Sequence, residues 1–511
     1  MATSNEITER RMVPRWRPFA EALNTGEVSP GVVASAPKMD VRPFLAEKEG
    51  AWQENKSLPF AVELISASVV LGASPVATEA AEFVLESGDQ ASVTAQELAR
   101  KVLGISPGTE LITNANLTKD EIRKSLRVLK ARRVSHPRSP FVWIDLARLY
   151  ALMGQLIPAN QAIRVALGLA PNERFVIRSA TRFYLHAGQP DEALNLLRKC
   201  SRTANDPWLL AAELAVSTVV GKTPRFAKIA AQLLGGKDIH PFHLSELATA
   251  MGSLEMAAGS HKKANRLFEV ALHAPTDNSL AQIVWAGAQT GLGDVNNKLL
   301  SAPLAYEARA FHEQNHRRWE SLITYANEWA KDESFSARPR LMASGTASSL
   351  LNNPSLGESI AKGGLEANPA HPGLINNLAF ALGLQGRTDE AFRVLNDVDP
   401  TECSINESIC LLATVGLAYF RAKNPAEGTA HYQRAIELAR INGLDQLAIR
   451  ASLHFERERI FSGDAEGVPA FLRSVEQAKR SNQSQLVALA ENIANQVANF
   501  QQSLLGSSKR P

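Results

Sequence analysis

Cysteine is scarce in this chain of 511 residues: only Cys200, Cys403 and Cys410 occur, an odd number without metal-ligand spacing. That excludes a disulfide-built scaffold and leaves each thiol, set in an apolar helical pattern, as expected core filler. Aromatics are sparse at 6%, so alanine and leucine carry most of the apolar surface, a composition suited to closely packed helices. Charge of one sign is also lacking, because 55 Lys and Arg face 52 Asp and Glu for a net +3. A general nucleic-acid binder is thereby excluded, though local basic patches are not. Long apolar runs are missing too. The longest, "AVELISASVVLGA", contains Glu63 and is too short to span a bilayer. The amino terminus, "MATSNEITERRMVPRWRPF", has charges where a signal peptide has its apolar region. A cytoplasmic protein with no membrane association is expected.

The length exceeds what one compact core organises, so several domains or one repeating array are expected. The repeat is visible. Pro137 and Pro171 lie 34 residues apart, as do Trp143 and Ile177, Tyr150 and Tyr184, Gly154 and Gly188, and Ala159 and Ala193. Within the unit, apolar residues at 143, 146, 147 and 150 share one helical face. Gly154 allows a turn, a second helix buries Ala159, Ile163 and Ala166, and Pro171 ends it. Trp143, Leu146, Ala147, Tyr150, Gly154, Ala159, Ile163, Ala166 and Pro171 fill every place of the tetratricopeptide repeat pattern, and the chain closely resembles that superfamily. The resemblance implies an all-α, right-handed superhelical solenoid of antiparallel helix pairs. It implies no catalytic residue, cofactor or metal.

Seven segments are expected. Residues 1–55 read as an extended arm, 56–136 as a divergent helical region and 137–276 as clear repeats. Residues 277–337 read as degenerate, shortened repeats, 338–442 as clear repeats again, 443–503 as a divergent repeat with a capping helix, and 504–511 as a polar tail. The arm's "RRMVPRWRPF" is a candidate for folding onto a partner.

One stretch spells a catalytic motif. "HEQNH" at 312–316 matches H-E-x-x-H, in which two histidines one helical turn apart hold zinc and the glutamate acts as base. Arg317 and Arg318 follow directly and would oppose a metal, and no third ligand is placed to complete the site. No zinc site is therefore expected at His312, Glu313 and His316.

Binding is expected on the concave side, which the first helix of each repeat lines. The positions that the resemblance assigns to that groove are Phe141, Ile144 and Arg148, then Phe175, Arg178, Arg182 and His186, and later Asn376, Asn377 and Phe380. Aromatics beside three arginines suit a protein partner with an acidic or carboxylate-bearing segment. The expectation is a non-enzymatic scaffold or adaptor. Self-association through the ends of the stack is a further expectation. A second basic feature, "KDEIRKSLRVLKARRVSHPR", carries Arg123, Lys124, Arg127, Lys130, Arg132 and Arg133. It is the alternative surface, for an acidic partner or nucleic-acid phosphates, without sequence readout.

Overall fold

The computed structural model describes residues 10–25, 27, 42–71, 74–91, 93–103, 119–236, 239–290, 295, 298–299, 302–399, 401, 403–464, 466–481 and 483–507. Among these there are 26 α-helices and no β-strand. None of the helices is long and apolar enough to cross a membrane. The chain divides into two compact units, Val33–Ala115 and a larger one of Met1–Val32 with Asn116–Pro511.

Numbered along the chain, α1 (Phe19–Asn24) belongs to the larger unit. The smaller unit holds α2 (Arg42–Glu54), α3 (Leu58–Leu71), α4 (Pro75–Glu86) and α5 (Val93–Val102). Each packs on the next around Trp52, Leu64, Ile65, Ala80 and Val84. Residues 42–54, expected within an extended arm, are thus helical. Leu45 and Trp52 lie two turns apart on one face, and Trp52 meets the Phe83 ring edge-on at 5.0 Å.

In the larger unit α6 (Lys119–Ser135) packs on the first helix of a stack of pairs. The pairs are α7 (Pro140–Leu152) with α8 (Leu156–Leu169), α9 (Arg174–His186) with α10 (Pro190–Lys199), α11 (Pro207–Val220) with α12 (Ala227–Gly235), and α13 (Pro241–Ala257) with α14 (His261–Leu272). Next come α15 (Asp277–Thr290), whose following segment lies mostly outside the described residues, and α16 (Tyr306–Asn315) with α17 (Trp319–Asp332). The later pairs are α18 (Arg338–Ser349) with α19 (Pro354–Leu365), α20 (Pro372–Leu384) with α21 (Thr388–Leu395), α22 (Ile405–Arg421) with α23 (Pro425–Ile441), and α24 (Asp445–Phe461) with α25 (Gly467–Arg480). Last is α26 (Ser484–Ser507). The array is an all-α solenoid of antiparallel helix pairs.

The sequence explains this geometry. Proline occupies the first helical position of α7, α10 and α11, where the missing N–H is not needed. Between α7 and α8 the chain reverses through Gly154 at φ +68°, a left-handed conformation that glycine takes without a Cβ clash. Ala147, Ala159 and Ala166 are fully buried, so the helices approach closely. One such close approach is α22 on α23. A Cβ on Gly428 would sit 2.5 Å from the Phe420 ring and 3.0 Å from the Gly416 carbonyl.

At the far end α26 buries Leu486, Leu489, Ile493 and Val497 against Leu453, Ile460 and Phe471 of α24 and α25. It also reaches back across the array. Arg317 pairs with Glu491 at 3.1 Å, and Asn492 Nδ2 donates to the Ser349 carbonyl at 2.7 Å. The last helix therefore covers the open apolar face and ties it to the middle of the stack.

Gly428→Ala should lower stability by about 1–3 kcal/mol through overpacking, although alanine is the better helix former. A urea midpoint that stays unchanged or rises in this variant would contradict the close approach.

Candidate functional site

The inner face of the array is filled by the chain's own amino-terminal arm. Residues 10–18 have no helix or strand, turn tightly where the Val13 N–H donates to the Arg11 carbonyl, and include Pro14 and Pro18, which lack N–H groups that would otherwise need partners. The arm lies antiparallel to the array, with Phe19 at the first pair and Arg10 at α15 and α16. Phe19 stacks on Phe141 at 4.0 Å and meets Phe175 edge-on at 5.5 Å. Its N–H donates to Asp145 Oδ1 at 3.0 Å, and Arg148 Nε donates to the Trp16 carbonyl at 3.3 Å. Trp16 is fully buried between Phe183 and Phe335, with ring centres 5.9 and 5.2 Å away. Met12 joins Leu210, Leu214 and Leu247.

Three arginines hold the arm, all nearly inaccessible to solvent. Arg17 forks onto Asp332 at 2.9 and 2.8 Å and also reaches Asp277 at 2.7 Å and Glu27. Arg15 spans Asp277 at 2.9 Å, Glu307 at 2.6 Å and Glu333 at 2.7 Å. Arg10 forks onto Glu307 at 2.9 and 3.0 Å and donates to Gln282 and Asn278 at 2.8 and 2.7 Å. Two array arginines complete the cluster, Arg338 at 2.7 Å from Glu307 and Arg182 at 3.9 Å from Glu333. Arm carbonyls are met as well: Asn278 Nδ2 donates to Val13 and Gln282 Nε2 to Arg10.

Burial works against every charge here, and the balance differs by site. The guanidinium groups of Arg10, Arg338 and Arg15 overcome burial and hold Glu307 well below the usual carboxylate range. Arg17 and Arg15 do the same for Asp277, and Arg15 with Arg182 for Glu333. Asp332 is raised because burial and nearby Asp277 outweigh Arg17. Burial likewise pushes Asp145 up to about 6.

The expected groove residues divide into two sets. Phe141, Arg148, Phe175, Arg182 and His186 all surround the arm or the Phe335 ring beside it. Ile144 is core. Arg178 is buried and bound within the array, on Glu246 at 2.7 and 3.2 Å and over the Trp208 ring at 4.7 Å. These arginines do not offer free cations to an acidic partner. A helix pattern gives their face but not the carboxylates that meet them. Asn376, Asn377 and Phe380 lie apart from the arm. Asn376 accepts from Thr414 at 2.8 Å, Asn377 donates to the Leu341 carbonyl and Ser344, and Phe380 meets His454 edge-on at 5.4 Å.

In the HEQNH stretch α16 ends at Asn315, so His316 is its capping residue and Arg317 turns at φ +58°. Glu313 is engaged by Arg318 at 2.7 Å. Among the described residues no cluster of metal-ligating side chains occurs. On α6, Arg123, Lys124, Arg127, Lys130 and Arg132 are exposed and Arg133 is half-buried. Arg123 pairs with Asp120 at 2.8 Å, Lys130 lies over Tyr150 and Arg133 over Trp143.

The carboxylates Asp277, Glu307, Asp332 and Glu333 were not singled out in the sequence, because they sit where the repeat pattern is degenerate. Arg15→Ala should cost about 3–5 kcal/mol, since it takes one shared cation from three buried carboxylates. Arg123→Ala, in an exposed pair, should change stability by under about 1 kcal/mol. Equal losses in denaturant titrations would contradict the cluster. Acid should also loosen the arm. Groups held below their ordinary pKa stabilise fully above about pH 4.3, and this is lost as pH falls through their lowered values. Asp145 acts oppositely, its contribution fading as pH rises through about 6. Tryptophan emission from the arm-docked state should therefore hold at neutral pH and shift red only below the ordinary carboxylate range.

No protein-family model matches the chain. Over 85 residues it is 33% identical to interferon-induced protein with tetratricopeptide repeats 3 of Mus musculus, covering 17% of this chain. The match spans 21% of that relative, about a fifth of its length. Among solved structures, yeast Tom70 aligns over 91% of this chain and 97% of its own, at 13% identity and a TM-score of 0.34. The human IFIT1 dimer with PPP-AAAA aligns over 71% of this chain and 95% of its own, at 14% identity and a TM-score of 0.35. The period of 34 residues and the helix pairs built on it make this chain an all-α protein of repeated helix pairs, similar over 85 residues to a protein with tetratricopeptide repeats.

Proposed function

We propose that the chain is a non-catalytic scaffold or adaptor whose concave groove binds an extended segment of a protein partner. One observation carries this reading: the groove already encloses a peptide segment, the chain's own arm, through side chains that read its arginines and aromatic rings. The segment that fits has arginines flanking a bulky aromatic, as Arg15, Trp16 and Arg17 do. Paired Asp and Glu side chains recognise the guanidinium fork, and the Phe183–Phe335 pocket takes the ring. The engagement of Glu313 by Arg318 supports the non-catalytic half of the proposal.

On this reading the arm is a tethered competitor. Tethering gives it an effective concentration on the order of millimolar, so a partner binds weakly until the arm leaves. A labelled peptide of residues 8–27 should bind a variant lacking residues 1–27 at least about tenfold more tightly than the full chain. The control is a full chain with a protease site placed in residues 28–32, nicked after folding so that the arm can exchange. No peptide uptake by either protein, with helical content retained, would overturn the groove model.

A second reading rests on α6. Among the described residues, Lys124 and Arg127 are exposed cations that form no ion pair there. They could meet the phosphates of a nucleic acid without sequence readout. Retention on a phosphate matrix that falls steeply with salt, and falls further in Arg127→Glu, supports it; no retention at low salt removes it.

A further inference from the structure

A second polar site lies in the array, away from the arm. Between α16, α18, α24 and α26 is a cavity of roughly 50 Å³, large enough for a few waters or one small oxyanion. Arg450 of α24, Gln314, Thr346, Ser349 and Gln485 line it, over an apolar floor that includes Met342 and Leu489. No acidic side chain is among the lining residues.

What distinguishes this cavity is that no described residue uses its polar side chains. Several other partly or fully buried arginines of the array meet carboxylates: Arg178 meets Glu246, Arg421 meets Glu458, and Arg459 meets Glu456 and Asp464. Arg450 is partly buried and has no ion pair or hydrogen bond with any described residue. The side chains of Gln314, Thr346, Ser349 and Gln485 likewise make no hydrogen bond there. One turn further along α24, His454 is 1% exposed and neither ring nitrogen has a partner. Burial, with Arg457 and Arg450, holds its pKa well below the usual histidine range, so it stays neutral.

A guanidinium set partly out of water without a counter-ion is costly, and its natural complement is an anion. The donors around it have the right character: a planar fork, two hydroxyls and two carboxamides, each able to donate to oxygen. Gln485 also lies in the first turn of α26, where backbone N–H groups favour negative charge. Carbonyls at the end of α18 would oppose an anion, but they are engaged. Thr346 O accepts from the Leu350 N–H and Ser349 O from Asn492 Nδ2.

We propose that this cavity is an oxyanion-binding site in which Arg450 is the central donor, and that it takes one carboxylate or phosphate group. The assignment does not depend on the arm or on what displaces it.

The test is a thermal melt of the full chain at constant ionic strength, with sodium chloride replaced stepwise by sodium acetate or by sodium phosphate. Wild type should gain about 2 °C or more over chloride with at least one of them, by ligand linkage. Acetate alone would name a peptide carboxylate as the source, and phosphate alone a phosphoryl group. Phosphate also stabilises proteins generally by exclusion, so the decisive comparison is with Arg450→Met. That variant should melt in chloride no lower than wild type, because an uncompensated charge has been removed, and should lose the extra gain. An equal gain in the variant, no gain in wild type, or a variant that melts lower in chloride would each overturn the site. The last result would show that the guanidinium is structural.

Discussion

The inner surface of this solenoid depends on the pairing of three arm arginines with carboxylates that the array brings together. Asp277, Glu307, Asp332 and Glu333 come from α15, α16 and α17 and the turn after it, and they converge in one buried space. From the array itself Arg182 and Arg338 reach them, with Arg148 nearby. Arg10, Arg15 and Arg17 supply the missing positive charge, and Glu27 joins from beyond α1. Like charges so close cannot all stay ionised without that supply. The arm is therefore part of the fold and a bound peptide at the same time.

Such an arrangement favours selectivity over raw stability. A buried ion pair gives little net stabilisation relative to apolar packing, yet losing one partner is expensive. A segment that enters this groove must match the forks of Asp332 and Glu307 and the ring pocket at Phe183 and Phe335 together. The pairs are also shielded from salt, unlike the exposed cations of α6. The Arg450 cavity has the opposite chemistry, with an arginine and no carboxylate among its lining residues.

Much of the scaffold was legible in the sequence because repeats write packing directly. Ala147, Ala159, Ile163 and Ala166 are buried as their spacing requires, and Gly154 turns where the pattern places a turn. Phe141 and Phe175, which the pattern sets on one face of their helices, both meet Phe19 of the arm. The charged contacts of the arm were not legible. Glu307 lies 297 residues from Arg10, and no local pattern connects them. The four carboxylates also fall where the repeat consensus fades, which reads as degeneracy although the residues there face a ligand. Arg450 was invisible for another reason: an arginine without a partner looks like any other until its surroundings are known.

The central claim is that the arm lies in the groove in the folded chain. The direct measurement is the rate of tryptic cleavage at the Arg15–Trp16 bond under native conditions, compared with the same bond in a free peptide. Arg15 is 5% exposed, and a docked arm cannot enter a protease site. The bond should therefore be cut orders of magnitude more slowly in the protein, only as fast as the arm opens. Cleavage at the rate of the free peptide, with the array intact, would contradict the account.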